Sequence, residues 1–119
     1  MTLNGALSVD FDVKSPADKF FKAFVGNANA PTEVSGEVEI EAVDWVKRVS
    51  TMKMKGVQKS KRYKTLKGTI TVTPKERGNG SRVVWTVRFE KVSDGTEDPH
   101  FFVDEAPKYF KEIDDHLLK

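Results

Sequence analysis

The sequence contains no cysteine, which excludes disulfides, thiol nucleophiles and cysteine-ligated metals. Histidine is almost as scarce: His100 and His116 are the two imidazoles that could serve as neutral-pH bases or metal ligands. On one straight helix they would stand roughly 24 Å apart, too far to share a metal, and each reads as a surface residue near a helix end. No apolar run approaches the roughly 20 residues of a membrane-spanning helix, and the amino terminus lacks a charged-then-apolar secretion signal. The G-x-S-x-G elbow, the P-loop and the GxGxxG dinucleotide turn are also missing, and Gly78–Asn79–Gly80 reads as a hairpin turn. Acidic residues are absent from one long stretch. Lys47 to Lys75 holds ten Lys or Arg and no Asp or Glu.

What remains is 119 residues, 38% hydrophobic and 32% charged, with a net charge of +2. That composition predicts one folded domain over residues 1–119 with the cytoplasm as its default address. The basic stretch is flanked by acidic ones, with eight acids against three bases over residues 1–44 and ten against seven over 76–119. A block of this kind can attract RNA or anionic lipid headgroups, or it can mark outward strand positions that pair with acidic neighbours. Tyr63 is the only aromatic residue within it, so stacking on bases is poorly supported and no specific nucleic-acid partner is expected.

Hydrophobic periodicity gives the element order. Residues 7–13 alternate Leu7, Val9, Phe11 and Val13 against Ser8, Asp10 and Asp12, the signature of a half-buried strand. Ser15, Pro16 and Asp18 then form a helix start, Ala17, Phe20, Phe21, Phe24 and Val25 its apolar face, and Gly26 its end. Residues 27–36 read as a loop. Strand patterns follow at 37–43, 49–54, 63–73 and 81–91, joined by turns at Asp44–Arg48 and Pro74–Gly80. From Asp98 onward, Phe102, Ala106, Tyr109, Phe110, Ile113 and Leu117 make a helical stripe. Pro107 inside it predicts a kink near Val103–Pro107, or a restart with the proline in the first turn. The fold expected is α+β: a curved antiparallel sheet gripping one amphipathic carboxy-terminal helix.

Catalytic constellations are thin, and no catalytic residue, metal site or cofactor is assigned. Asp114, Asp115 and His116 scatter around the helix surface and read as a solvated polar face. Glu37, Glu39 and Glu41 share a strand face, where pairing with the basic strand opposite accounts for them without a metal. The apolar set is more informative. Met52, Met54, Leu66, Ile70, Trp85, Val87 and Phe89 from the strands would face Phe102, Ala106, Tyr109, Phe110 and Ile113 from the helix. They form either a solid core or a lined cavity for a hydrophobic small molecule, with Trp85 and Tyr109 supplying polar handles.

Several segments carry a family resemblance. LSVDFDVKSPADKFFKAF, IEAVD, YKTLKGTITVTPK, VVWTVRFEKV and DPHFFVDEAPKYFKEIDDHLLK run in order along nearly the whole chain. They resemble the plant major latex proteins, a branch of the birch pollen allergen (Bet v I) family with the helix-grip, START-like fold. The resemblance implies a cytosolic plant protein without catalytic residues, binding a hydrophobic small molecule (lipid, sterol or hormone-like) between sheet and last helix, with links to defence or stress. Some relatives of the fold use a lysine and acids in the cavity, but no inward lysine can be placed here. Family members are about thirty residues longer than this 119-residue chain, and the shortage falls between the first helix and IEAVD. Five strands rather than seven are therefore expected, without the glycine-rich loop at the cavity mouth. The acidic strand 37–43 then becomes a sheet edge. Homodimerisation through that edge, helped by Trp45 and Val46 at the neighbouring turn, is the alternative function, one that needs no pocket.

Overall fold

The computed structural model describes residues 3–27, 37–55 and 61–119. Strand β1 (Asn4–Val13) leads into helix α1 (Ala17–Asn27). Strands β2 (Glu37–Asp44), β3 (Val49–Lys55), β4 (Tyr63–Pro74) and β5 (Ser81–Lys91) follow. Helices α2 (His100–Asp104) and α3 (Ala106–Leu117) complete the chain. The strands form one five-stranded antiparallel sheet in the order β1-β5-β4-β3-β2.

Period-two patterning translates directly into one buried face. Along β5, Val83, Trp85, Val87 and Phe89 are buried while Arg82 and Arg88 face solvent. Leu66, Ile70 and Val72 of β4 and Met52 and Met54 of β3 complete the same face. Helix α1 supplies Phe20, Phe21 and Phe24, all at most 4% exposed, to the layer above it. An eleven-residue helix gains little from intrinsic propensity, so these buried rings hold it in place.

The start of α1 differs from the expected cap. Phe20 N–H bonds the Pro16 carbonyl at 3.0 Å, and the Ser15 hydroxyl turns away to Asp114 instead of capping. The helix also runs one residue past Gly26. At the other end of the chain, the single helix expected over 98–118 is two pieces. Glu105 closes α2 through its N–H to the Phe101 carbonyl at 3.0 Å, and α3 restarts with Pro107 in its first turn. There the missing proline N–H has no helical carbonyl to reach, so the restart satisfies what a continuous helix would not.

Strand β2 is an edge, as the shortened connection requires, and it is guarded. Its register slips between Ile40 and Ala42, leaving Glu41 in a bulge. Glu39 pairs with Lys55 of β3, and Glu41 pairs with Lys67 of β4 at 3.2 Å. The lysine beside Glu39 holds its carboxyl below the usual carboxylate range. Lys64–Glu90 at 3.6 Å and Lys75–Asp12 at 3.5 Å extend the pattern, so much of the basic block sits on outward positions opposite acids. The β2–β3 turn is closed by Asp44, whose Oδ1 accepts the Val46 and Lys47 N–H groups at 3.1 and 3.0 Å. Arg48 takes φ 56° to complete it and reaches Asp18 of α1 at 2.9 Å.

Candidate functional site

The sheet and the carboxy-terminal helices bring the twelve apolar candidates together. Met52, Met54, Leu66, Ile70, Trp85, Val87, Phe89, Phe102, Ala106, Phe110 and Ile113 are buried in one cluster, and Tyr109 packs half-buried against it. At its centre the two layers touch. Around Phe110 the rings of Phe11, Phe20, Phe24, Trp85 and Tyr109 lie with centroids between 6.0 and 6.4 Å away. Trp85 lies across Gly68 of the neighbouring strand, where a Cβ would stand 2.1 Å from the indole Cη2. Gly5 makes the same room for Phe89. These two glycines are the backbone's accommodation of large rings on a pleated surface.

The polar handles are also in use. Trp85 Nε1–H donates to the Phe102 carbonyl at 3.0 Å, tying β5 to α2. Burial pushes the Tyr109 phenol above its ordinary value, with the Glu112 carboxylate adding to the shift. Helices α2 and α3 pack chiefly on β1 and β5, and α1 packs on β4. Met52 and Met54 therefore stand on the half of the face away from α3, flanked by half-buried Val38 and Ile40 of β2.

One residue read as solvated is not. Asp114 is 6% exposed and accepts three hydrogen bonds from the β1–α1 junction. Lys14 N–H donates at 2.8 Å, Ser15 N–H at 2.9 Å and the Ser15 hydroxyl at 2.5 Å. Ser81 Oγ–H in turn donates to the Ser15 carbonyl at 2.8 Å. The signal was available: Asp114 follows Phe110 by four residues and precedes Leu117 by three, which puts it on the apolar stripe. Asp115 and His116 do face solvent, and Asp115 pairs with Lys111 at 2.7 Å. No cluster of three or more His, Asp or Glu able to hold a metal occurs among the described residues.

A second feature went unread in the sequence. An open cleft of about 390 Å³ lies where β4 begins and the chain enters α2. Arg62, Tyr63 and the run Glu97–Phe102 line it. The Tyr63 hydroxyl donates to the Glu97 carbonyl at 2.6 Å, and Lys91 pairs with Asp98 at 2.9 Å. Periodicity could not show this cleft, because its walls come from a strand end and an irregular segment.

Comparison with known proteins agrees with this architecture. The profile of the Pathogenesis-related protein Bet v 1 family matches residues 31–119. An uncharacterized Arabidopsis thaliana protein is 58% identical over 118 residues, covering 99% of this chain and 97% of the relative. The short form is therefore shared with a relative of nearly the same length. MLP-like protein 423 of Arabidopsis thaliana is 38% identical over an alignment of 154 positions, covering all of this chain and 97% of the relative. That alignment is longer than this chain's 119 residues, so part of the relative has no counterpart here. The solution structure of an Arabidopsis thaliana member of the major latex protein family superposes with a TM-score of 0.76 at 30% identity, over 98% of this chain and 95% of that one. Profile, relatives and fold coincide: the chain belongs to the Pathogenesis-related protein Bet v 1 family, as a shortened member of its major latex protein-like branch.

Proposed function

We propose that this protein is a non-enzymatic, cytoplasmic binder of a hydrophobic small molecule of lipid, sterol or hormone-like character, with a role in plant defence or stress. The carrying observation is a change of lining along the sheet's buried apolar face. Rings fill the space beneath α3, whereas the β2–β3 half carries the flexible side chains of Met52 and Met54, buried at 3% and 4% exposure, with half-buried Val38 and Ile40 beside them. Methionine side chains adapt to irregular apolar shapes, so that half is where a ligand would lie, with Trp85 at its margin. The buried serine hydroxyls of Ser15, Ser50 and Ser81 donate to the Asp114 carboxylate and to the Ala42 and Ser15 carbonyls rather than to a base such as histidine. Asp114, the buried acid, has its oxygens engaged by backbone and hydroxyl donors.

The reading is tested by titrating sterols, fatty acids and plant hormones against tryptophan fluorescence. A Trp45→Phe background removes the exposed indole and isolates Trp85. A saturable change with at least one class supports the proposal, and none up to several hundred micromolar sinks it. Homodimerisation through β2 is the weaker reading. An antiparallel β2–β2 pair would set Glu39 and Glu41 against their own copies, and the bulge at Glu41 interrupts the ladder such pairing needs. Sedimentation showing a dimer at low micromolar concentration would reverse that order.

A further inference from the structure

The cleft at the entrance to α2 has a lining that, Phe102 apart, the hydrophobic-ligand reading does not use. Phe101 is 52% exposed there, an unusual position for a phenylalanine beside a concave surface. Its ring stands edge-on to Phe102, with centroids 5.6 Å apart. Arg62, Glu97 and Asp98 are the charged side chains of its lining, with His100 beside them, and Lys91 reaches Asp98 from outside that lining. Lys91 and Asp98 neutralise each other at 2.9 Å. The side chains of Arg62 and Glu97 form no ion pair with a described residue, so among the described residues the cleft presents a guanidinium and a carboxylate in one lining with Phe101.

The wall is also built in advance. The segment 97–102 is fixed to the sheet at three places: Tyr63 O–H to the Glu97 carbonyl, Lys91 to Asp98, and Trp85 Nε1–H to the Phe102 carbonyl. A wall tethered to β4 and β5 need not be ordered by its ligand, which removes part of the cost of binding.

We propose that this cleft binds a small zwitterion with a flat apolar body, of which an aromatic α-amino acid is the simplest form. The guanidinium of Arg62 takes the carboxylate, the carboxylate of Glu97 takes the ammonium, and Phe101 packs against the ring. Both charges are exposed, so a purely apolar ligand would gain nothing from either, and an ion of one sign would meet the opposing like charge. The site is distinct from the interior face beneath α3, so it can stand or fall apart from the lipid-class proposal.

The test is amide-resolved NMR titration of the full chain with L-phenylalanine. Two truncated probes run beside it: 3-phenylpropionate, which lacks the ammonium, and phenethylamine, which lacks the carboxylate. The expected result is saturable shifts confined to residues 61–63 and 97–102, with each truncated probe weaker by roughly tenfold. Arg62→Gln should abolish the advantage over phenethylamine, and Glu97→Gln the advantage over 3-phenylpropionate. Both positions are exposed, so the fold should survive both changes. Phe101→Ala should weaken all three probes together. Equal affinity of the three probes, indifference to both charge substitutions, or no saturation up to roughly 10 mM would overturn the proposal.

Discussion

The two ends of the layer formed by the sheet and its covering helices are held in opposite ways. At the carboxy-terminal end of α3, a buried carboxylate gathers three donors from Lys14 and Ser15, and Phe110 sits within a nest of rings. At the α2 end, single tethers from Tyr63, Lys91 and Trp85 hold an irregular segment over an open cleft. Close packing with full polar satisfaction leaves no room for a guest, whereas a tethered segment over a cleft does. One end is closed by packing, and the other carries the open cleft.

The largest way to break this comparison is Phe110→Ala. Removing the ring at the centre of the packed end should cost about 3–5 kcal/mol, since neighbours fixed by helix and strand cannot collapse into the space. Thermal unfolding followed by circular dichroism should show a midpoint lowered by more than about 10 °C. A loss below about 1.5 kcal/mol would mean that the packed end is looser than its ring geometry implies.

Asp114→Ala comes next. It leaves two buried N–H groups and the Ser15 hydroxyl without their acceptor, a loss of about 2–4 kcal/mol. The neighbouring Asp115→Ala removes an exposed partner of Lys111 and should change stability by no more than about 0.5 kcal/mol. Chemical denaturation of the two variants side by side isolates burial as the cause, because sequence neighbourhood and residue type are the same. Equal effects would remove Asp114 from its place as the anchor of that end.

This pair also marks the limit of what the sequence discloses. Alternation in β1, β4 and β5 was legible because a half-buried strand repeats every two residues, and a break at Pro107, as a kink or a restart, because proline lacks a donor. The β2 edge was legible from the shortened connection. Asp114 was misread because residue type was allowed to outweigh position: its place on the apolar stripe called for a buried side chain, and its chemistry for a surface one. Its partners lie about a hundred residues away at Lys14 and Ser15, and no local pattern announces a contact of that separation. Whether the twelve apolar residues meet one another or a ligand was likewise not legible, since both outcomes need the same periodicity. Around Phe110 the rings do meet one another, with centroids 6.0 to 6.4 Å apart. The cleft was invisible for a further reason: Arg62 and Glu97 become neighbours only through the pairing of β4 with β5 and the turn that follows.

The smallest effect is a titration that samples both ends at once. Tyr63 at the cleft and Tyr109 against the packed rings both have phenols raised above the ordinary value of 10.0, chiefly by burial. A folded state that holds the phenolic proton more tightly than the unfolded chain gains stability below pH 10, and loses it as pH climbs through the raised value. Stability should therefore fall on the alkaline side of pH 10, and Tyr109→Phe and Tyr63→Phe should each flatten that fall. The two variants should differ at neutral pH. Tyr63→Phe deletes the hydrogen bond to the Glu97 carbonyl, for about 1 kcal/mol and faster amide exchange over 97–102. For Tyr109→Phe no described protein hydrogen bond is at stake, so its neutral-pH stability should hold. If Tyr63→Phe leaves exchange over 97–102 unchanged, the α2 end is held by Lys91 and Trp85 alone, and the contrast between the two ends narrows.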